Sequence, residues 1–133
     1  AGPAYIARRG APAAPEDLAR HNCLTYEYAL SDTWTFHDAA GRSHTVRVAG
    51  SLNSNNGDLN AAAAAQGLGI TLEPDFIVGR NLRDGTLVRV LEAFEAPALP
   101  IYAVYPSRRF LPAKVRAFVD FLVERFAGMK GWV

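Results

Sequence analysis

Asn53-Ser-Asn-Asn-Gly-Asp-Leu-Asn60 is the stretch whose residue types and spacing come closest to a chemical site. As a calcium loop it fails, because Leu52 stands where the leading acid belongs and no glutamate lies six residues past Gly57. As a phosphate loop it fails as well, since no Gly-Lys-Ser/Thr follows. The ordinary structural reading is a helix cap, where Asn and Asp are favoured. The functional reading uses the same geometry: unpaired N–H groups at a helix start attract an anion, and Ser54, Asn55 and Asn56 can add side-chain hydrogen bonds. Asp58 would oppose an anion and is expected to point away. The segment continues through five alanines (Ala61–Ala65), Gly67 and Gly69, a short apolar strand and Pro74, which gives a polar helix start beside a strand end. Open α/β domains hold small ligands at such edges.

Other chemistry-bearing residues are sparse. His21 and Cys23 could be read as a base and a nucleophile, but no orienting group or oxyanion loop accompanies them, and Cys23 reads better as a small apolar strand residue. His37 and His44 could face each other on a hairpin, yet two histidines without an acid or cysteine make a poor zinc site. Trp34, Phe36, Tyr26 and Tyr28 could stack a ligand ring, and more often such residues are core or cross-strand pairs. Arg108 and Arg109 could clamp an acid, with a solvated loop as the bland alternative. No catalytic residue, metal site or cofactor is expected, and the chain reads as a ligand-sensing module rather than an enzyme.

The elements that would position these residues are legible from periodicity. Pro3 to Arg9 predicts a short helix with proline near its start, stopped by Gly10, and Pro15 to Arg20 predicts one or two further helical turns. Cys23 to Tyr28 alternates as a strand. Thr33 to His37 and Ser43 to Ala49 flank turn residues and predict a β-hairpin. Leu59 to Gln66 is helical by propensity, and its alanines fit close packing on a sheet or on another subunit. Leu68 to Leu72 is a short buried strand, and Pro74 to Arg83 a second helix weakened by Gly79. Thr86 to Leu91 and Ile101 to Tyr105 read as strands, separated by an irregular segment with two prolines. Pro112 to Phe126 carries the strongest helical pattern, with Val115, Phe118, Val119, Leu122, Val123 and Phe126 on one stripe. Ala127 to Val133 is expected to be a loose tail.

Length and composition bound the class. At 133 residues the chain suits one domain or one lobe of a larger one, and it can bury roughly two-thirds of its unfolded surface. With 14 basic and 13 acidic residues the net charge of +1 gives no electrostatic reason for this chain to bind nucleic acid. A single cysteine allows no internal disulfide and is compatible with a reducing compartment. No apolar run approaches the roughly 18 residues of a spanning helix, and no signal peptide is visible.

An ordered series of short pieces carries a resemblance. Pro3-Ala-Tyr-Ile-Ala-Arg-Arg-Gly10, Pro15-Glu-Asp-Leu-Ala-Arg-His-Asn-Cys-Leu24, Trp34-Thr-Phe36, Asn55-Asn-Gly-Asp58, Gly67-Leu-Gly-Ile70, Pro74-Asp-Phe76, Gly85-Thr-Leu-Val88, Tyr102-Ala-Val-Tyr-Pro-Ser-Arg-Arg109 and Lys114 to Leu122 together resemble the effector-binding domain of LysR-type transcriptional regulators. The resemblance covers nearly the whole chain, though each piece alone is unremarkable. It implies an α/β fold of the type 2 periplasmic-binding-protein kind, with two lobes joined by crossover strands and an effector between them. It implies a cytoplasmic bacterial regulator that forms dimers or tetramers and reads DNA through an N-terminal helix-turn-helix. That helix-turn-helix, the linker helix and the first part of lobe one have no counterpart in this sequence.

On that resemblance, residues 1–10 are an entry segment, 11–100 lobe two, 101–127 the returning strand and terminal helix of lobe one, and 128–133 a tail. The chain would then not bind DNA by itself, and it would have no membrane partner. Its terminal helix would dock on another copy or on a separately supplied first-lobe fragment, since burying its six large apolar residues is worth roughly 1.5–3 kcal/mol each. The effector would be a small polar or anionic metabolite met by Asn55, Asn56, Thr71 and Pro74, with Tyr26 and Tyr28 as weaker candidates. With the opposing wall largely absent, affinity in this chain alone is expected to be poor. The alternative is a lobe of a solute-binding protein for transport.

Overall fold

The computed structural model describes residues 1–27, 32–105 and 112–127. The chain divides into two compact units, one over Ala1–Ala98 and one beginning at Leu99.

In the first unit, helix α1 (Pro3–Arg9) starts on a proline and ends at Gly10, whose φ of 79° places it in the left-handed region. The helical turns expected over Pro15–Arg20 form as a 3₁₀ helix, and Asp17 accepts from the Ala13 and Ala14 amides at its start. Strand β1 (Cys23–Tyr26) is central in a parallel three-stranded sheet, flanked by β4 (Asn53–Ser54) and β5 (Ile70–Thr71). Thr25 pairs with Asn53, and Cys23 with Ile70. Two glycines let the neighbouring chains close on β1: a Cβ on Gly50 would overlap the Cys23 carbonyl oxygen, and one on Gly69 the Asn22 carbonyl oxygen.

The hairpin is formed as expected, by β2 (Thr33–His37) and β3 (Ser43–Arg47). Its register pairs Phe36 with His44 and His37 with Ser43, so the two histidines are not opposite each other. Trp34, Phe36 and Val46 are buried with Tyr5, Leu18, Cys23, Val48 and Ile70 in one core cluster, so the aromatics serve packing. Strand alternation puts that set on one face.

Helix α2 (Gly57–Ala65) begins two residues before the expected start, directly after Asn56. Ala61 and Ala64 are buried and pack with Leu24, Val78 and Leu87 in a second cluster, so the small side chains bring the helix close to the sheet. Helix α3 (Asp75–Arg83) follows Pro74 and buries Val78 and Gly79. Gly79 thus sits on the packed face of the helix.

Thr86 to Leu91 is not a strand. Its pairing with the chain start is confined to one residue: the Val88 amide donates to the Ala1 carbonyl at 2.8 Å and the Val88 carbonyl accepts from the Ala1 amino group at 3.1 Å. One pairing residue does not make a ladder. An isolated antiparallel bridge joins His37 to Glu95 further on.

In the second unit, Ile101 to Tyr105 is likewise not a strand; Ile101, Tyr102 and Val104 are exposed. Helix α4 (Ala113–Ala127) forms as predicted, with the Pro112 carbonyl accepting from the Val115 and Arg116 amides. None of its residues is buried, and Phe118 and Val123 of the expected stripe are 60% and 63% exposed. Arg108 and Arg109, and the tail beyond Ala127, lie outside the described residues.

Candidate functional site

Because β1, β4 and β5 are parallel, their C-terminal ends meet at one edge of the sheet. Tyr26 ends β1, Ser54 ends β4 and Thr71 ends β5. Helix α2 starts three residues after Ser54, so its N-terminus lies at the same edge, as does the Leu72–Pro74 turn into α3.

Asn56 caps α2. Its Oδ1 accepts from the Asp58 amide at 2.9 Å and the Leu59 amide at 3.2 Å, so the side chain proposed for a ligand is engaged in the bland role weighed for it. Ser54 Oγ lies 3.0 Å from both the Asn56 carbonyl and Asn60 Oδ1, either of which can take its single proton, and it accepts from the Asn56 amide. Asn55 and Asp58 are exposed. Thr71 Oγ1 reaches the Leu24 carbonyl at 3.3 Å and Glu73 Oε1 at 3.2 Å. Pro74 accepts from the Ile77 and Val78 amides and so starts α3. Tyr26 is 40% exposed at the mouth of the edge, and Tyr28 lies outside the described residues.

Two residues that sequence reasoning missed hold this edge together. Asn60 is fully buried; its Nδ2 donates to Glu73 Oε1 at 3.0 Å and to the Thr25 carbonyl at 3.3 Å, while its Oδ1 can accept from Ser54. One amide thereby ties β1, β4, α2 and the turn after β5. Glu73 places its second oxygen against the start of α2: a Cβ on Gly57 would lie 2.6 Å from Glu73 Oε2. A carboxylate near a helix N-terminus is favoured by the helix dipole. The signal available in the sequence was an asparagine one turn after the cap, on the packing face of an alanine helix. Tyr26, Leu59, Leu72 and Phe76 are exposed apolar residues of the same strand ends and helix starts.

The remaining candidates are accounted for structurally. His21 Nδ1 is 3.1 Å from the Tyr5 hydroxyl, which itself accepts from the Asn22 amide. Burial, and then the positive charge of Arg9, push the His21 pKa down. The Cys23 thiol is fully buried, donates weakly to the Leu18 carbonyl at 3.5 Å, and is pushed up to about 11 by burial, the reverse of an activated nucleophile. Among the described residues no group of three or more His, Cys, Asp or Glu could hold a metal ion. No helix among them is long and apolar enough to cross a membrane.

Comparison with known proteins places this edge in a familiar frame. The family model of the LysR substrate binding domain matches residues 1–127. The chain is 37% identical over 125 residues to the HTH-type transcriptional regulator PtxR of Pseudomonas aeruginosa, covering 93% of this chain and 40% of that protein. It is 36% identical over 129 residues to the HTH-type transcriptional regulator DmlR of Escherichia coli, covering 96% and 41%. Among solved structures, full-length AphB of Vibrio cholerae, a virulence activator of the LysR-type family, superposes with a TM-score of 0.80 at 31% identity, covering 94% of this chain and 43% of that one. The regulatory domain of AphB from Vibrio vulnificus gives a TM-score of 0.76 at 33% identity, covering 94% and 62%. The chain therefore spans about two-fifths of the length of the regulators it matches in sequence. The parallel sheet, the capped small-residue helix and the matched span agree: the chain belongs to the LysR substrate-binding domain family, with its type 2 periplasmic-binding-protein-like α/β fold.

Proposed function

We propose that this chain is the effector-sensing part of a LysR-type transcriptional regulator, carrying lobe two over residues 11–100 and the returning segment and terminal helix of lobe one over 101–127. The observation that carries the reading is the family match over residues 1–127, joined to a sheet edge where polar groups converge. The relatives are regulators, which disfavours an enzyme and a transport solute-binding lobe.

The effector meets the edge formed by Asn55, Asn56, Thr71 and Pro74, with Tyr26 beside it; Tyr28 is the further candidate from the sequence. Of the two effector chemistries expected, a neutral polar group with hydrogen-bond donors fits better than an acid. The Glu73 carboxylate already stands at the start of α2, where an incoming anion would meet like charge. Effector binding then shifts the balance between arrangements of lobes or subunits, and a helix-turn-helix elsewhere in the protein reads DNA. The exposed stripe of α4 is covered in the assembled regulator by lobe one or by a second copy, in a dimer or tetramer.

Amide chemical shifts of residues 54–60 and 71–75 test the site, with glycerol as a neutral hydroxyl-bearing probe and succinate as an acid. Glycerol should perturb these amides and succinate should not, whereas Glu73→Gln should admit succinate. Perturbations confined to other surfaces would overturn the site. Independently, a helix-turn-helix of roughly 60 residues encoded upstream would support the regulator reading, and a secretion signal there would support transport.

A further inference from the structure

His44 lies where three segments of the first unit meet. Its Nδ1 is 3.0 Å from Glu16 Oε1 on the 3₁₀ helix, and its Nε2 is 3.4 Å from Asp38 Oδ2 in the hairpin turn. Its ring meets Phe94 edge-on, with centroids 5.3 Å apart and planes at 81°. Phe94 belongs to the segment 91–98, the last part of the chain before this unit ends at Ala98.

Leu91 and Phe94 of that segment are partly buried against the core cluster that holds Tyr5, Leu18 and the hairpin aromatics, while Glu92 and the residues from Glu95 onward are exposed. The segment opens on Leu91, whose φ of 58° lies in the left-handed region that branched side chains disfavour. The Phe94 amide closes a turn onto the Leu91 carbonyl at 2.9 Å. His37 and Glu95 then exchange two backbone hydrogen bonds of 2.8 Å, as an isolated bridge. A strained turn persists only while its surroundings hold it, and here the surroundings are the core cluster under Leu91 and Phe94, the hairpin strand at His37 and the ring of His44.

We infer that His44 is a protonation-controlled anchor, which when charged clasps the hairpin to the 3₁₀ helix and holds segment 91–98 on the hairpin. Both ring nitrogens of an imidazolium are donors, so both carboxylates are satisfied. In the neutral ring one nitrogen keeps a lone pair facing a carboxylate, and one clasp is lost.

The charged neighbours favour this assignment. From the 3₁₀ helix, Glu16 faces His44, while Asp17 is engaged by Arg20 and the Ala13 and Ala14 amides. From the hairpin, Asp38 faces it and also pairs with Arg42; Arg47 pairs with Asp32. Segment 91–98 brings Glu92 and Glu95, both exposed and both acidic. The Glu16 bond, then the Asp38 bond, raise the His44 pKa above its ordinary 6.5. A raised histidine value makes the anchor complete below about pH 6.5 and lost as pH rises through the folded-state value.

The test is hydrogen exchange and imidazole NMR of the whole chain across that range. The His44 midpoint should lie above that of an unfolded histidine. The protection factor of the Glu95 amide should fall several-fold through that midpoint, while that of Ile70 in the sheet stays level. His44→Gln should remove the step, leaving Glu95 at its high-pH protection throughout. Should that variant not fold, Glu16→Gln, an exposed position, should lower the midpoint and shrink the step. A flat Glu95 profile in the unmodified chain, or a step retained in His44→Gln, would overturn the anchor.

Discussion

Asn60 and Glu73 are joined by a 3.0 Å hydrogen bond that fastens α2 to the turn after β5. The donor is fully buried and the acceptor oxygen is shared with Thr71. This pair decides the shape of the candidate edge, because the same amide also reaches Ser54 and the Thr25 carbonyl.

Asn60→Ala should therefore cost about 2–3 kcal/mol in urea denaturation, from a small cavity and stranded partners. Asn60→Asp should cost more near neutral pH, because its carboxylate would face Glu73 Oε1. It should recover part of the loss on acidification, when one of the two acids takes a proton. Equal stability of Asn60→Asp and the unmodified chain at pH 7 would remove Asn60 from the centre of the edge.

Glycines around β1 separate steric need from backbone freedom. Gly50→Ala and Gly69→Ala each force a side chain onto a backbone carbonyl, of Cys23 and Asn22 respectively, and should cost more than about 2 kcal/mol. Gly41 in the hairpin turn has a φ of 76° and open space around it, so Gly41→Ala should cost only about 1–2 kcal/mol, the left-handed penalty. Thermal denaturation of the three variants ranks them.

Cys23 should resist iodoacetamide at pH 8 in the native chain and react quickly once unfolded in urea. Its thiol is held protonated up to about 11 by burial. The unfolded thiol ionises first as pH rises, so the unfolded state binds fewer protons and stability should decline from about pH 9 towards pH 11. Rapid native labelling would show that the core around Leu18 and Tyr5 opens readily.

Asp38 holds the hairpin turn by accepting from the Ala40 and Arg42 amides and from the Arg42 guanidinium. These bonds, with the Arg42 amide first, lower its pKa to about 2. A depressed carboxylate contributes stability that is present above about pH 4 and is lost as pH falls towards 2. Asp38→Asn should lower stability at pH 7 and flatten that acid limb, as read by circular dichroism against pH.

The sequence by itself determined the local elements whose signals are short-range. Asn56 as a cap, the glycine stop after α1, the alternation of Trp34, Phe36 and Val46, and the stripe of α4 are each written within one or two turns of chain. The ordered motifs also carried the family and with it the α/β architecture. Tertiary structure alone decided the rest, because it depends on partners distant along the chain. Thr86 to Leu91 and Ile101 to Tyr105 have strand-like composition, but strands exist only where a neighbour completes the ladder. The hairpin register set His37 against Ser43 and freed His44 to meet Glu16, 28 positions away. Asn60 looked like one more helix residue until the Thr25 carbonyl, 35 positions earlier, and Glu73, 13 later, closed on it. A buried amide is stable only when such partners converge, and that convergence is a property of the folded chain.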